Sequence, residues 1–217
     1  MIDTKTPDQS PKKPEKVASD KKIIYEKVYI EEFAGRIFRE IRIANNIDSE
    51  MISTSLNPDT NIEKIKKAGE SQGKSGSFFF FSHDSKFIIK TMNSGELQTF
   101  KKIFKNYEKH LKDNPKSLLA RIYGIFTVRL EDIDPIHILL MENTMQYVSG
   151  NKISVNSTYD LKGSLVGRLN KDKDASNTDI LKDWNIIYKR KTHDILNFSK
   201  KQQETIKDQM KKDTKFL

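Results

Sequence analysis

The sequence contains no cysteine and no long apolar run. Without cysteine the chain can form neither a disulfide framework nor a cysteine-ligated metal site, and nothing indicates an oxidising compartment. A membrane-spanning helix needs about 20 consecutive apolar residues, and no stretch approaches that length. The N-terminus also lacks an apolar core of the length found in signal peptides. These absences predict a cytoplasmic protein, either dissolved or attached peripherally to a membrane.

Acidic residues are outnumbered by basic ones. The chain has 39 Lys and Arg against 30 Asp and Glu, a net charge of +9. Such an excess suits a partner that carries phosphates, whether a nucleotide, a nucleic acid or an anionic membrane. The basic stretches at residues 64–67 and 189–191 have no aromatic stacking platform between them. We interpret them first as solvated faces and second as a patch for an anionic membrane, so nucleic acid is not an expected partner.

The 217 residues are enough for one domain or two. Residues 1–22 have three prolines, no aromatic residue and few apolar ones, which predicts a disordered tail. Apolar periodicity and capping signals predict helices over residues 28–46, 61–68, 94–114 (with Ser94 as its cap) and from 199 onward. Aromatic and β-branched runs predict strands over residues 78–81, 86–90, 118–130 and 136–141. Hairpin-joined strands with one helix between them make an antiparallel α+β layer, as in the small lobe of a kinase.

The stretch GESQGKSGSFFFF, which ends at Phe81, has the Gly-Lys-Ser of a phosphate-binding P-loop. A P-loop requires a glycine five places before that tripeptide, and Ala68 stands there instead. A P-loop also follows a strand and opens a helix, whereas the loop in this sequence follows a helical stretch and precedes a strand. The backbone N–H groups of such a loop can still approach an anion closely, although a plain turn is the commoner outcome. The candidate anion-binding residues are Gly73, Lys74, Ser75, Gly76 and Ser77.

Lys90 ends a short apolar strand, and Glu96 follows in the first turn of the next helix. A helical count of 100° per residue predicts that Glu96 shares a face with Phe100 and Tyr107, where an unpaired charge would be costly. In a kinase small lobe, a strand lysine contacts the ATP phosphates and a helix glutamate orients it. Alternatively, Lys90 marks the point where the strand leaves the core, and Glu96 is a solvated residue favoured by the helix dipole. The spacing alone does not choose between these interpretations.

Other chemistries find less support in the sequence. No Gly-x-Ser-x-Gly nucleophile turn is present. Asp208 and Asp213 lie in a lysine-rich helix, where solvated charge pairs three or four residues apart are usual. The histidines have no metal-ligand spacing, and we interpret each as a loop or surface residue: His83, His110, His137 and His193. The sequence therefore predicts no metal ligand.

Four motifs, taken together, resemble one family of kinases. In chain order they are Gly73-Lys-Ser-Gly-Ser-Phe-Phe79, Phe87-Ile-Ile-Lys-Thr91, Tyr159-Asp-Leu-Lys-Gly-Ser164 with Arg168, and Leu181-Lys-Asp183. Their order and spacing are similar to those of the phosphatidylinositol phosphate kinases. The Asp-Leu-Lys-Gly-Ser segment is more specific than the glycine loop. The resemblance identifies residues 23–217 as the N-terminal part of such a kinase domain.

Several expectations follow from this resemblance. Members of the family use ATP and Mg²⁺ to phosphorylate the inositol ring of a phosphatidylinositol monophosphate, at a flat basic surface that faces the membrane. The resemblance implies a kinase-like fold, in which Lys90 is the lysine that contacts the ATP phosphates and Glu96 is the helix acidic residue. It implies a hinge around the adenine ring formed by Met141, Asn143 and Thr144. It also implies a segment close to the nucleotide that contains Asp160, Lys162, Gly163 and Ser164.

The sequence departs from the family in one respect. The family's catalytic aspartate lies in a Met-Asp-Tyr-Ser-Leu-Leu segment beyond the position of Leu217, and its metal-binding aspartate comes later still. We therefore expect a polypeptide of these 217 residues to transfer no phosphate by itself, with the Mg²⁺ ligands lying outside it. One hypothesis is that the chain is part of a lipid kinase. The other is that it is a non-catalytic scaffold that binds nucleotide, anionic lipid or a protein partner. The phosphoinositide substrate and a homodimer through a sheet edge are left open.

Overall fold

A computed structural model describes residues 19–25, 28–70, 78–145, 157–170, 180–192 and 198–216. The chain divides into two compact units, Met1–Glu108 with Ala120–Asn143 and Lys109–Leu119 with Thr144–Leu217. Among the described residues the strands are β1 (Ser19–Tyr25), β2 (Val28–Phe33), β3 (Phe79–Phe81), β4 (Phe87–Met92), β5 (Ile122–Leu130), β6 (Ile133–Glu142), β7 (Thr158–Tyr159) and β8 (Ile180–Leu181). The helices are α1 (Gly35–Ala44), α2 (Ser49–Ser55), α3 (Pro58–Glu70), α4 (Ser94–Asp113), α5 (Asp183–Thr192) and α6 (Lys200–Phe216).

The first unit is built on a six-stranded sheet in the order β1-β2-β5-β6-β4-β3. Every neighbouring pair is antiparallel. The pairs β1–β2, β3–β4 and β5–β6 are consecutive along the chain, and α4 connects β4 to β5. The predicted class, an antiparallel α+β layer with a long helix, is confirmed.

The helix predicted over residues 28–46 is wrong in its first part. Val28–Phe33 form β2, which pairs with β5 from Tyr29 opposite Arg129 to Phe33 opposite Ile125. β-branched and aromatic residues favour a strand once a partner strand is available. Ala34, with φ at 48°, turns the chain out of the strand, and α1 follows. β1 begins at Ser19, so the last four residues of the predicted tail, 19–22, belong to the sheet.

An aromatic cluster forms the core of the first unit. The ring centroid of Phe33 lies 4.9 Å from that of Phe104 in α4 and 6.5 Å from that of Phe38 in α1. Phe38 and Phe104 are fully buried. The rings meet edge-on or tilted, which is the geometry that aromatic pairs prefer. Burial of this apolar face holds α4 against the sheet, and its first turn lies close to β4.

The long helix α4 confirms the strongest periodic pattern of the sequence, but its cap differs from the prediction. Asn93, not Ser94, caps the helix, because its Oδ1 accepts a hydrogen bond from the backbone N–H of Glu96 at 2.8 Å. The Glu96 carboxylate accepts in return from the Asn93 N–H at 2.8 Å. This reciprocal pair is a capping box. It fixes the position of the Glu96 side chain.

The turn between β3 and β4 is held by Asp84. Its carboxylate accepts hydrogen bonds from the hydroxyls of Ser55 and Ser82, both at 2.7 Å, and from the Lys86 N–H at 3.1 Å. Burial by itself raises the pKa of Asp84, but these hydrogen bonds outweigh it and lower the pKa to about 2. Since Ser55 belongs to α2, the carboxylate connects that helix to the turn and so positions β4.

The second unit contains the short parallel pair β7–β8 and the helices α5 and α6. The helix predicted from residue 199 is confirmed as α6, whereas α5 has no counterpart in the sequence predictions. The strand predicted over residues 118–130 begins only at Ile122. The backbone N–H groups of Leu118 and Leu119 donate to side chains instead of to a strand, to the Asp213 carboxylate at 2.8 Å and to Ser117 Oγ at 3.2 Å. No helix in the described part of the chain has the length and apolar content to cross a membrane.

Candidate functional site

Lys90 and Glu96 form an ion pair at the edge of the core. Lys90 lies on β4, and its Nζ is 3.8 Å from Oε1 of Glu96 in the first turn of α4. The two side chains are 37% and 42% exposed. The expectation that Glu96 lies on the apolar face is therefore wrong, and Leu97 and Phe100 are the buried residues of that turn. Glu96 is therefore both a cap residue and the ion-pair partner of Lys90.

The sheet face around Lys90 is apolar, and on the β3 side of Lys90 it is accessible to solvent. Lys90 stands between Phe79 of β3 and Leu139 of β6 in the register of the sheet, and Ile88 stands between Phe81 and Met141. Side chains that are paired across neighbouring strands point to the same face. Phe79 and Phe81 are 42% and 38% exposed. This face therefore combines a cation with apolar surface that a flat ligand can cover.

The residues predicted to form a hinge differ in their environment. Met141 is half-buried at the end of β6, and Thr144 is exposed. Asn143 is buried, where its Nδ2 donates to the Ser85 carbonyl at 2.6 Å and its backbone N–H donates to the Lys86 carbonyl at 3.0 Å. These two hydrogen bonds join the end of β6 to the β3–β4 turn. The side-chain amide of Asn143 therefore has a structural role.

A network of four charged residues holds the Asp-Leu-Lys-Gly-Ser segment in the second unit. The buried carboxylate of Asp183, in the first turn of α5, accepts from the backbone N–H groups of Lys162 at 3.1 Å and Gly163 at 2.9 Å. Arg168 donates to the same carboxylate through Nε at 2.8 Å, and its guanidinium lies 3.2 Å from Asp160. Lys162 Nζ is 2.6 Å from the other oxygen of Asp160. Two cations and one carboxylate of the loop are thus paired with one another and with the carboxylate at the start of α5.

The electrostatics of this network keep both carboxylates ionised. The hydrogen bond from Arg168 lowers the pKa of Asp183, and the N–H groups of Gly163 and Lys162 add to the effect. The hydrogen bond from Lys162 lowers the pKa of Asp160, assisted by Arg168. Pairing with Asp183 first, and with Asp160 second, raises the pKa of Arg168. The loop is therefore held by charged hydrogen bonds over the whole neutral pH range.

Comparison with known proteins decides the family. A family model described as phosphatidylinositol-4-phosphate 5-kinase matches residues 60–217, which is more than half of the chain. The chain belongs to the phosphatidylinositol phosphate kinase family. The resemblance inferred from the four motifs is therefore confirmed.

Individual relatives agree with this family. A probable phosphatidylinositol phosphate kinase of Dictyostelium discoideum is 35% identical over 188 residues, which cover 86% of this chain and 25% of that protein. A phosphatidylinositol 4-phosphate 5-kinase of Plasmodium falciparum is 32% identical over 204 residues, 88% of this chain and 12% of that protein. The type-1 beta phosphatidylinositol 4-phosphate 5-kinase of Gallus gallus is 35% identical over 133 residues, 57% of this chain and 24% of that protein. The chain spans a quarter or less of the length of these three relatives.

The glycine loop of this phosphatidylinositol phosphate kinase family member falls outside the described residues. Gly73, Lys74, Ser75, Gly76 and Ser77 all lie in the undescribed range 71–77, so their assignment to a bound anion stays a prediction.

In the second unit Gly163, with φ at +68°, adopts a left-handed conformation that favours glycine. Ser164 is exposed beside it.

Sequence reasoning was wrong about Asp213, which is a buried residue and not part of a solvated pair. Its Oδ1 accepts from Ser117 Oγ at 2.7 Å and from Gln209 Nε2 at 3.0 Å, and lies 2.7 Å from His110 Nε2. Its Oδ2 accepts from the Leu118 N–H at 2.8 Å. Three of these partners are about a hundred residues away along the chain, so the local sequence carried no signal of them. Asp208, in contrast, is an exposed residue paired with Lys211, as predicted.

Two of the histidines, His110 in α4 and His137 in β6, also differ from the prediction, whereas His83 lies in the β3–β4 turn as expected. His110 is buried, and its ring stacks on that of Phe216 with centroids 4.9 Å apart. His83 and His137 are half-buried, and both bond to neighbours: His83 Nδ1 lies 3.0 Å from the Ser55 carbonyl, and His137 Nδ1 lies 3.0 Å from Thr127 Oγ1. His193 lies outside the described residues. Within the described part of the chain, no group of three acidic or histidine side chains could hold a metal ion.

Proposed function

We propose that this chain supplies the ATP-binding part of a lipid kinase that phosphorylates the inositol ring of a phosphatidylinositol monophosphate. The observation that carries the proposal is the Lys90–Glu96 pair at 3.8 Å, on an accessible sheet face, in a chain of this family. In kinases a pair of this kind joins a strand lysine to a helix glutamate and presents the lysine to the nucleotide phosphates.

Glu96 is well suited to orient Lys90. The capping box restrains the glutamate through two hydrogen bonds of 2.8 Å with Asn93, so the carboxylate is fixed before any ligand arrives. The ion pair itself is long and partly exposed, and such pairs contribute little to stability. Lys90 can therefore turn its ammonium group towards a phosphate at small cost, while Glu96 limits the directions that it takes.

The apolar surface next to Lys90 suits the base of the nucleotide. Phe81, Ile88 and Met141 lie in register across three strands on the face that carries Lys90. Nucleotide sites generally combine apolar side chains that cover the base with a few charged groups for the phosphates. The partly exposed ring of Phe81 supports this assignment, since burial against a base removes its apolar area from water.

The loop at residues 160–168 carries the other predicted contacts to phosphorylated ligands. Lys162 is 62% exposed and paired only across the surface with Asp160, so its ammonium group is accessible to an anion. Asp183 and Arg168 are mostly buried and fix the backbone of the loop. We assign Lys162 to ligand contact and the other two residues to positioning.

The described residues do not fit Mg²⁺. The family uses ATP together with a divalent metal in general, but hard oxygen ligands for such an ion need at least one free carboxylate group. Asp160 and Asp183 are occupied by Arg168 and its neighbours, and the described residues contain no metal-binding cluster.

Calorimetric titration of the chain with MgATP tests the proposal. Lys90→Ala should weaken binding about tenfold or more, because a charge-assisted contact to phosphate is lost. Lys109→Ala is the matched control, because it removes the same charge at another place. Lys109 is 75% exposed and is paired with Asp113 on α4. Equal losses in the two variants would indicate unspecific charge attraction. Absence of ATP binding by the unaltered chain would favour the scaffold hypothesis instead.

A further inference from the structure

The loop held by Asp183 exposes an unusual amount of apolar surface. Val166 is 90% exposed, Leu161 53% and Leu165 44%. Single exposed apolar residues are normal on protein surfaces and need no explanation. Here three of them lie within six residues, on the outer side of one charged and hydrogen-bonded loop. We call these three residues the apolar tip.

The loop is built so that the apolar tip stays outside. The indole Nε1 of Trp184 donates to the Leu165 carbonyl at 2.9 Å, and the Trp184 backbone N–H donates to the Arg168 carbonyl at 3.0 Å. Gly163 and Gly167, with φ at +68° and +64°, form the bends on either side of Leu165 and Val166. A valine on a loop fixed in this way cannot turn inward without breaking these hydrogen bonds. Its exposure is therefore a property of the folded loop.

An aromatic pair and a lysine adjoin or belong to the loop that carries the apolar tip. Trp184 stacks on Tyr188 with ring centroids 5.4 Å apart, and Tyr188 is 50% exposed. Tryptophan and tyrosine concentrate at the boundary between lipid headgroups and acyl chains, because their rings are apolar at one end and polar at the other. Lys162, 62% exposed, stands within the loop itself. A combination of exposed apolar, aromatic and basic residues is typical of a segment that enters a lipid interface.

The net charge of the chain is concentrated in the same unit. Residues 109–119 and 144–217 contain eighteen Lys and Arg against ten Asp and Glu, a net charge of +8 out of the total of +9. The first unit is thus close to neutral. Basic residues near a bilayer are attracted to anionic headgroups over about one Debye length. This charge distribution favours an anionic bilayer as the occupant of the tip over a second copy of a unit with the same positive charge.

We propose that the apolar tip inserts into the headgroup region of an anionic membrane, with the basic residues of the second unit against the lipid phosphates. The inference rests on the proposed function only for the choice of a membrane as partner. It adds that attachment has an apolar component, located at Leu161, Leu165 and Val166. Binding should therefore weaken with salt but should not vanish.

The single tryptophan of the chain provides the assay. Because Trp184 donates to Leu165, its emission should shift to shorter wavelength on addition of vesicles of phosphatidylcholine and phosphatidylserine, and brominated lipids should quench it. Val166→Asn should lower the vesicle partition coefficient about tenfold, as expected for one buried valine side chain. Ile43→Asn is the matched control, since Ile43 is a β-branched residue that is 62% exposed on α1 in the other unit, and its partition should not change.

Three outcomes would overturn the inference. Equal partition of the Val166→Asn variant and the unaltered chain, with no emission shift, would mean that attachment is electrostatic alone. Equal losses in the Val166 and Ile43 variants would mean that the apolar contribution is not localised. A concentration-dependent emission shift without vesicles would identify a second copy as the occupant. MgATP titration of the Val166→Asn variant separates this result from the proposed function, since nucleotide affinity should be unchanged.

Discussion

Replacing Asp213 by asparagine is the sharpest test of how the second unit is held together. Asp213 receives hydrogen bonds from Ser117, Leu118 and Gln209 and contacts His110 at 2.7 Å, and its side chain is only 7% exposed. Asparagine has almost the same shape, but its NH₂ group is a donor where the carboxylate has an acceptor. One of the present donors must then face another donor inside the protein.

The pKa gives the magnitude of the expected effect. Burial raises the pKa of Asp213, but the hydrogen bonds outweigh it and lower the pKa from 3.8 to about 2. This difference corresponds to about 2 kcal/mol of stabilisation by the ionised form. Because the pKa in the folded state is depressed, the contribution is fully present above pH 3.8 and is lost as the pH falls towards about 2. Asp213→Asn should therefore destabilise the second unit by about 2 kcal/mol at neutral pH, and by less in acid.

Urea unfolding followed by the fluorescence of Trp184 measures this effect, since Trp184 is the only tryptophan and lies in the second unit. Asp208→Asn is the matched control, because Asp208 is on the same helix, is 69% exposed and makes only a surface pair with Lys211. Its effect should stay below about 0.5 kcal/mol. Equal effects of the two substitutions, or an effect of Asp213→Asn that does not shrink in acid, would refute the reasoning.

Two further predictions concern the loop of the second unit. Asp183→Asn removes the charged group that accepts hydrogen bonds from Lys162, Gly163 and Arg168. Hydrogen exchange at the Gly163 amide should therefore accelerate about tenfold or more. Unchanged exchange would mean that the carboxylate does not hold the loop. Gly163→Ala should lower stability by about 1–2 kcal/mol in thermal unfolding, because φ is +68° although no atom lies within 4 Å of an added Cβ. Gly163→Asn should cost less, and equal costs would show that steric strain at φ is not the cause.

The elements that the sequence predicted correctly are those determined by local patterns. α4 follows from apolar residues at steps of three and four, and the β3–β4 hairpin follows from an aromatic run and a polar turn. Lys90 and Glu96 are six residues apart, so their proximity could be inferred from a strand followed by a helix. In each of these cases, the deciding interactions lie within a few residues.

The elements that the sequence did not predict depend on distant partners. Val28–Phe33 carry a spacing that also fits a helix, and they form a strand because they pair with β1 on one side and with β5, about a hundred residues later, on the other. Asp213 has the sequence surroundings of a surface residue, and its burial comes from His110 and Ser117. Asp183 was recognised only as part of a motif, because its donors at Lys162 and Gly163 lie in another segment. Such contacts leave no periodic signal in the sequence.

The most direct test of the central claim is an NMR titration of the isotope-labelled chain with MgATP. If the sheet face around Lys90 binds the nucleotide, the largest amide shifts should occur at Phe81, Ile88 and Lys90 and in the first turn of α4. Lys90→Ala should reduce these shifts, and Lys109→Ala should leave them unchanged. Shifts confined to the lysine-rich helix α6 would contradict the claim, since they would show that ATP is attracted only by the positive charge of the second unit.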